Sequence, residues 1–325
     1  DPIPAPTRSG LYPPLAELLF YGMARLDRIS VLDFRVLFSA AALLAGLTLI
    51  PLCRAAGVPT VHAAFLLWHP LLILETAGNA HLEALGLFFL LASLALLFGR
   101  HQLTPLAALA LSVLTKAVPV ALLPLYIRRI PPYRLLLFLL LLILGSLPFL
   151  AAGPRLLSGF LDLVAHARFN PGPFLVVEKL LGWLGHAGWA RGVAAAAGLV
   201  IALALTITDD GTNASILRRA FYLALPPILL GPVVNPWYLI WILPFLALLP
   251  REDPLRMPLL FLSGSVALAY LHLAWGFLPG WVTLLEYAPV GLLFLWGLWR
   301  RRSLSAPGRP SRAAAPPAPR PEGGC

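Results

Sequence analysis

Four polar side chains lie within nine positions in one of the most apolar parts of this sequence. The stretch "LILETAGNAHLEALGLFFLL" (residues 72–91) contains Glu75, Asn79, His81 and Glu83. Carboxylates and imidazoles are the groups that proteins use to remove protons, and amides bind hydroxyl groups. Each is costly in an apolar environment unless a partner or water satisfies it. The pattern therefore predicts a hydrated pocket bordered by residues 75–83.

A lysine in a neighbouring apolar segment could belong to the same pocket. Lys116 interrupts the segment 104–126, and an ionised side chain at the centre of a membrane helix costs roughly 3 kcal/mol. One interpretation is that Glu75, Glu83 and Lys116 are interface residues with access to water. The functional interpretation is a water-filled site in which a carboxylate and the lysine face each other.

Six further residues are candidates for substrate binding. Arg168 could hold a phosphate through its fork of donors, although an arginine in a loop is commonly just solvated. Asn235, with Trp237 and Tyr238, could bind a sugar by amide hydrogen bonds and ring stacking, although tryptophan and tyrosine also form ordinary interface belts. Asn170 and Tyr12 stand in similar stretches that mix proline with polar or aromatic residues.

Composition defines the protein class. The 325 residues are 59% hydrophobic and 12% charged, about half of the roughly 25% charged residues of an average soluble domain. Apolar runs follow one another nearly end to end, so membrane lipids are the expected surroundings. We predict a multi-pass protein of the cell membrane.

Several other classes of protein find no support in the sequence. The net charge of +10 comes from arginine clusters at the ends of apolar segments, which indicates membrane topology and not nucleic-acid binding. Two cysteines, Cys53 and Cys325, give neither a disulfide framework nor a metal site. No phosphate-binding loop, dinucleotide-binding glycine pattern or zinc-protease motif occurs, and we expect no metal and no cofactor.

The predicted fold class is an all-α, polytopic transmembrane helical bundle of about 9–11 membrane segments, some of them re-entrant or interfacial. Residues 1–30 form an outer loop and an interfacial helix, residues 31–302 the transmembrane domain with an outer loop at 153–189, and residues 303–325 a disordered cytoplasmic tail. The apolar segments run approximately over 36–53, 60–76, 82–98, 104–126, 134–152, 190–207, 218–234, 237–249, 257–275 and 283–299.

The arginine clusters orient these segments. If Arg300–Arg302 is cytoplasmic, the other basic clusters fall on the same side and the polar stretches gather on the non-cytoplasmic side. Segment 104–126 could cross the membrane once. It could instead form a hairpin, broken near Lys116 and Pro119, that enters and leaves by one face. We favour the hairpin because it also places Arg54 and Arg100 with the other basic residues.

Five motifs, in this order, resemble the GT-C class of integral membrane glycosyltransferases. They are "YPPLAELLF" (12–20), "HPLLILETAGNAHLEAL" (69–85), "LTKAVPVALLPLYIRR" (114–129), "RFNPGPF" (168–174) and "NPWYLIWILPF" (235–245). The chain most closely resembles polyprenyl-phosphate-mannose-dependent α-1,6-mannosyltransferases of the bacterial envelope.

This resemblance implies transfer of a hexose, with mannose as the expected sugar, from a polyprenyl-phosphate-linked sugar donor to a glycan or glycolipid acceptor outside the membrane. A carboxylate would act as general base, and cations or amides would stabilise the leaving phosphate. Glu83 and His81 would line the acceptor side, and Lys116 and Arg168 would neutralise the phosphate. Asn79 would lie beside them, and the sugar pocket would be formed by Asn170, Asn235, Trp237 and Tyr12.

The sequence departs from this family in two respects. The family's catalytic aspartate follows a first transmembrane helix that precedes the "YPP" motif, whereas this chain starts at Asp1, so we expect that acid upstream of Asp1. The family's motif reads closer to G-N-x-H-N-D, and here Leu82 and Glu83 fill the last two places. Glu83 is therefore the candidate catalytic acid within this chain.

Two rival functions remain open. Broken helices with charges at membrane depth also occur in secondary transporters and lipid flippases, although no second copy of the 60–126 pattern is evident in residues 134–299. The other rival is a non-catalytic membrane subunit, against which buried charges argue weakly.

Overall fold

The protein is an all-α bundle in the computed structural model, which describes residues 10–26, 28–99, 103–153, 155–208 and 210–305. These residues form sixteen α-helices and no strand, so the predicted polytopic helical bundle is confirmed. The helices are α1 (Pro14–Ala24), α2 (Val31–Ala56), α3 (His62–Leu67), α4 (Pro70–Ile73), α5 (Glu83–Leu97), α6 (Thr104–Thr115), α7 (Leu123–Ile127), α8 (Leu135–Ser146), α9 (Arg155–His166), α10 (Gly172–Trp183), α11 (Ala190–Ile207), α12 (Asn213–Leu229), α13 (Leu243–Leu248), α14 (Arg256–Ser265), α15 (Leu271–Trp275) and α16 (Gly280–Ser305).

Five helical segments of the described chain are long and apolar enough to cross a membrane: Val31–Ala56, Pro132–Ala152, Ala187–Ile207, Arg256–Trp275 and Gly280–Ser303. Shorter apolar helices, α5 and α6 among them, pack between these segments. The outer helices direct large apolar side chains away from the protein, as the exposed Leu136 and Ile143 of α8 do. Such a surface is stable in lipid and costly in water, which identifies a multi-pass membrane protein.

The predicted hairpin in segment 104–126 is present. Helix α6 ends at Thr115, and Lys116 takes an extended conformation. Pro119 cannot donate to the Thr115 carbonyl, as a continuing α-helix would require. The Ser93 hydroxyl donates to the Pro105 carbonyl (2.6 Å) and also contacts the Tyr126 hydroxyl at 2.6 Å. The beginning of α6 and the end of α7 therefore lie together, with Lys116 at the far tip.

Arg218 and the arginines near the end of α16 lie together at one end of the bundle. Helix α16 starts beside Asn170, to which Glu286 is bonded, and ends with Arg300 and Arg301, which line a cleft with Asp253. Arg218 near the start of α12 lies 3.5 Å from the same Asp253. We call the end of the bundle that holds Arg218, Asp253 and Arg300 the basic end. The end that holds Lys116 and Asn170 is called the site end. The predicted grouping of Arg218 with the Arg300 cluster is confirmed.

Some predicted boundaries change. Segment 153–189, predicted as a loop between two spans, contains α9 and α10. Helix α16 continues to Ser305, past the predicted start of the tail at 303. The rest of that tail, Asp1 and Arg100 lie outside the described residues. The predicted interfacial segment near the N-terminus includes helix α1.

The centre of the bundle is packed tightly where α5 passes the buried Trp241. An added Cβ at Gly86 would lie 2.6 Å from Cη2 of that indole. We expect Gly86→Ala to destabilise the protein by about 1–3 kcal/mol, since a rigid ring must move. Thermal unfolding in detergent measures this. Gly291→Ala on α16 is the matched control, because nothing lies within 4 Å of its Cβ position. Equal melting temperatures for the two variants would contradict the prediction.

Candidate functional site

The polar stretch 75–83 folds as a tight reversal between two helices. Residues Leu74–Gly78 form one turn of π-helix, a local widening that often occurs at functional sites. Ala80 has a φ of 57°, in the left-handed region that non-glycine residues rarely adopt. The His81 amide then donates to the Glu75 carbonyl (2.7 Å) and closes the reversal. This backbone turns the side chains of Glu75, His81 and Glu83 towards one another.

Glu83 and Lys116 form a buried ion pair. The Lys116 Nζ lies 2.8 Å from Glu83 Oε1, and the two side chains are 17% and 1% exposed. Glu83 begins α5 and Lys116 follows the last residue of the antiparallel α6, so each charge lies at the helix end whose dipole favours it. The carboxylate and lysine that the sequence predicted to face each other do so.

A second carboxylate, Glu75, is saturated with donors. The Tyr270 hydroxyl lies 2.8 Å from both Glu75 oxygens, and the Asn79 amide donates to Oε2 at 3.1 Å. In contrast, neither Glu83 oxygen accepts a hydrogen bond of good geometry from the described residues, so the Lys116 charge is its main compensation. Glu75 therefore organises the reversal, and Glu83 is the carboxylate with capacity for another donor.

His81 joins the two carboxylates. Its Nε2 lies 3.4 Å from Glu75 Oε2, and its Nδ1 lies 3.9 Å from Glu83 Oε2. Burial lowers the pKa of the His81 imidazole, against the opposing effect of the Glu83 charge. A neutral imidazole can donate through one nitrogen and accept through the other, so His81 can relay a hydrogen bond between a substrate hydroxyl and a carboxylate.

Aromatic rings enclose the polar groups. The Trp237 ring stacks on His81 with the centroids 4.1 Å apart. The Lys116 Nζ lies 4.7 Å from the ring centroid of Tyr12 and 5.8 Å from that of Tyr238. Cation–π attraction compensates part of the desolvation of a buried ammonium. The predicted residues Tyr12, Asn79, His81, Glu83, Lys116 and Trp237 thus form one connected cluster, which we call the polar cluster.

Asn170 belongs to a second buried cluster. Its Nδ2 donates to Glu286 Oε2 at 2.6 Å, and both side chains are buried. Its φ of 46° is left-handed, and the Tyr287 hydroxyl donates to its carbonyl at 3.2 Å. Helix α16 therefore clamps the chain at residue 170.

The clamped segment connects to the polar cluster through the backbone. Phe169 forms a parallel bridge with Val233, and its carbonyl accepts from the Val234 amide at 2.8 Å. Asn235 and Trp237 follow directly, so the 168–170 segment lies beside the strand-like stretch that leads to the His81 stack. Asn235 caps the start of the 3₁₀-helix Pro236–Trp241 without a side-chain bond.

Arg168 lies near this segment with its charge already paired. Its guanidinium makes an ion pair with Glu178 of α10, and its side chain is 46% exposed. Binding of a phosphate by Arg168 would therefore compete with Glu178. The prediction that Arg168 and Lys116 share one phosphate stays a prediction, and Lys116 is the one of the two that lies in the polar cluster.

Two apolar cavities are lined in part by tyrosines whose rings contact Lys116. The small cavity, about 240 Å³, is lined by Tyr12, Ala117, Ser146, Leu156, Phe160 and neighbouring residues. The large cavity, about 450 Å³, is lined by Ala121, Val164, Ala194, Gly198, Pro226, Tyr238 and neighbouring residues. The two rings that contact the Lys116 ammonium thus each line a different cavity.

Sequence reasoning missed Tyr270 and Glu286 as site residues, whereas Tyr238 was predicted together with Asn235 and Trp237. A signal existed for Glu286, because a carboxylate inside an apolar helix is a functional candidate by default. No comparable signal marks Tyr270, since tyrosine is common in membrane helices near an interface.

Among the residues that the structure describes, no group of three or more His, Cys, Asp or Glu side chains could hold a metal ion. The electrostatics of the polar cluster come from the chain's own Lys116, Glu75 and Glu83. Compared with known proteins, the sequence matches no family model and no curated protein. The geometry of the polar cluster and its two cavities is therefore the basis for assigning a function.

Proposed function

We propose that the protein is a membrane-embedded glycosyltransferase. It transfers a hexose, with mannose as the expected sugar, from a polyprenyl-phosphate donor to a glycan or glycolipid acceptor on the non-cytoplasmic face. The observation that carries this proposal is the Glu83–Lys116 pair, which combines a buried carboxylate that has spare acceptor capacity with a cation. The Lys116 ammonium faces the ring of Tyr238, and that residue lines an apolar cavity. A base, a cation and a place for a hydrocarbon chain are what this reaction requires.

Each group has one role in the proposed step. Glu83 accepts the proton of the acceptor hydroxyl as that oxygen bonds to C1 of the donor sugar. The bond between C1 and the phosphate oxygen breaks, and the electron pair leaves with the lipid phosphate. Glu83 becomes neutral as the leaving phosphate gains charge, so the Lys116 ammonium exchanges one anionic partner for another. The total charge of the site is unchanged by the step.

Aromatic and amide groups can hold the sugar in this arrangement. The stacked Trp237 and His81 rings offer a flat apolar face beside the polar groups, and Asn79 supplies an amide. A pyranose has both apolar C–H faces and hydroxyl edges, so such a mixed wall fits it.

Transfer from lipid-linked sugar is the direct test. Membranes containing the protein, expressed from its complete coding sequence, are incubated with radiolabelled polyprenyl-phosphate mannose, and the products are separated and sequenced. We expect a labelled glycan or glycolipid, and its loss in Lys116→Ala at equal expression. Arg301→Ala, at the basic end, is the control and should retain activity.

The same assay separates the proposal from its rival. The hairpin tip at Lys116 is a break between two helices, and transporters also use broken helices at membrane depth. A transporter or flippase would move the labelled lipid between leaflets of proteoliposomes without forming a new glycosidic bond. Label movement without a new product would overturn the transferase proposal, as would normal transfer by Lys116→Ala.

A further inference from the structure

We infer that the Asn170–Glu286 pair binds one monovalent cation, a proton or a sodium ion, between its two side chains. The pair is separate from the polar cluster, and the proposed reaction does not use it. A cation there would hold segment 168–172 against α16, and so fix the chain that leads through Val233 to Trp237. Three features of the described residues support this inference.

The first feature is the uncompensated charge of Glu286. Four acids are buried in the described part of the chain, namely Glu75, Glu83, Asp253 and Glu286. Glu83 and Asp253 each face a basic side chain, and Glu75 accepts hydrogen bonds from two side chains. Among the described residues, Glu286 has only the neutral amide of Asn170 and the peptide group of Ala269. A buried carboxylate without a cation is costly, so it is expected to bind one or to take up a proton.

The second feature is a pair of buried oxygen atoms without partners. Glu286 Oε1 and Asn170 Oδ1 are both buried, and neither has a hydrogen-bond partner within the described residues. They belong to two head groups that are already bonded, since Asn170 Nδ2 donates to Glu286 Oε2 at 2.6 Å. Both free atoms are acceptors, so one proton or cation between the head groups can satisfy them together.

The third feature is the enclosure of the pair. Asn170 and Glu286 are 2% and 0% exposed. The Asn170 carbonyl accepts from the Tyr287 hydroxyl at 3.2 Å and from the Gly172 amide at 2.8 Å. An added Cβ at Gly172 would overlap the Tyr287 ring, so this ring packs directly on the backbone beside Asn170. Bulk water therefore cannot hydrate the carboxylate, and a bound ion has to compensate its charge.

The neighbouring charged and titratable groups are engaged elsewhere. Arg168 pairs with a glutamate of α10, and His272 of α15 is bonded through Nδ1 to a backbone carbonyl. The Tyr287 hydroxyl donates to a backbone carbonyl. The hydroxyl of Tyr270, from the 3₁₀-turn that packs against α16, lies on Glu75. None of these groups bonds to the two free oxygens.

A proton and a sodium ion are the two occupants that suit this chemistry. A proton on Oε1 makes Glu286 a neutral acid whose hydroxyl can donate to Asn170 Oδ1. A sodium ion takes oxygen ligands, and irregular backbone beside membrane helices supplies sites for Na⁺ and H⁺ in membrane transporters. Both occupants neutralise the carboxylate and tie residue 170 to α16, so salt and pH have to distinguish them.

Infrared spectroscopy of the protein in nanodiscs tests for the proton. In choline chloride at about pH 7.5, where an exposed carboxyl is ionised, we expect the C=O band of a protonated carboxylic acid. Glu286→Gln should remove this band. Asn170→Gly, which tolerates the left-handed backbone, should keep the band and shift its frequency. Glu252→Gln, which changes an exposed acid at the basic end, is the control and should leave the band unchanged.

Binding of radioactive sodium to the same samples tests for the sodium ion. If sodium is the occupant, each chain binds a single ion, sodium chloride removes the acid band, and Glu286→Gln lowers binding about tenfold or more. Binding should strengthen as the pH rises, because sodium and the proton compete for one carboxyl oxygen. With a proton alone, sodium neither binds nor changes the band.

Thermal unfolding gives a measurement that does not depend on assigning a band. The folded chain holds a proton that the unfolded chain releases, so stability in choline chloride should fall between about pH 6 and about pH 9. Sodium chloride should prevent this fall only if sodium is the occupant. Glu286→Gln should show a smaller fall in either salt, whereas Glu252→Gln should behave like the unmodified protein.

Two results would overturn the inference. One is the absence of both an acid band and sodium binding, as an ionised Glu286 hydrated by a buried water molecule would give. The other is an acid band whose frequency Asn170→Gly does not shift, together with no sodium binding, which assigns the proton to another residue even if Glu286→Gln fails to fold. None of these measurements uses sugar transfer, so failure of the proposed function would leave the inference standing.

Discussion

Glu83→Gln is expected to lower kcat for sugar transfer by about 10²–10⁴-fold, the range that a general base contributes. Glutamine keeps the shape of the side chain and removes its ability to take a proton. The same change leaves the Lys116 ammonium buried without its anionic partner, at an expected cost of about 3–5 kcal/mol in stability. Activity is measured with radiolabelled lipid-linked sugar, and stability by thermal unfolding in detergent.

A double variant separates the catalytic effect from the structural one. Glu83→Gln combined with Lys116→Met removes both charges, so it should be more stable than Glu83→Gln alone, because no unpaired ion is left. It should nevertheless remain inactive. Recovery of transfer in the double variant would show that the pair serves folding alone and would remove Glu83 from the mechanism.

Glu286→Leu is expected to release the segment around Asn170. The Asn170 amide would lose its 2.6 Å bond to the Glu286 carboxylate while staying buried, which costs about 1–3 kcal/mol. The left-handed conformation of Asn170 would then lack the contact that holds it. Phe169 is bridged to Val233, so the effect should reach both bridged segments. We therefore expect faster hydrogen exchange of the backbone amides in residues 169–171 and 233–237, and weaker binding of the sugar donor.

Two variants control this prediction. Glu286→Gln keeps an oxygen that can accept from Asn170, so it should retain most of the protection against exchange. Leu285→Ala changes the neighbouring side chain, which is 52% exposed on the same helix, and should leave exchange in the segment unchanged. The prediction fails if Glu286→Leu and Leu285→Ala give the same exchange rates at residues 169–171.

The elements of this fold are largely predictable from sequence because lipid demands long apolar runs. The ten predicted segments all coincide with helical regions, and the hairpin follows from Pro119 together with the arginines that flank it. The helices α9 and α10 of segment 153–189 were not predicted from the sequence, for a physical reason. Helix α9 is short and amphipathic, so it has no continuous apolar run for a search of membrane spans to find.

The candidate site is predictable only in part. Glu83 and Lys116 are recognisable because each is an ion in an apolar segment, and an ion at such a depth needs a partner. The pairing of Glu75 with Tyr270 is not recognisable, because 195 positions separate the residues and only the packing of distant helices brings them together. The bond between Asn170 and Glu286 of α16 is likewise not recognisable from the sequence, because 116 positions separate the two residues.

The hairpin has a consequence for biogenesis. A hairpin starts and ends on the same side of the bundle. The helix that follows it therefore starts from the side on which the hairpin began, and the orientation of the later helices does not depend on the hairpin. Its tip nevertheless carries the Lys116 ammonium, whose charge is compensated by Glu83 of α5 only when the two elements lie together. We expect the ion pair with Glu83 to form only when α5 and the hairpin have docked, so that the two charges to which the proposed mechanism assigns chemistry also report correct helix docking.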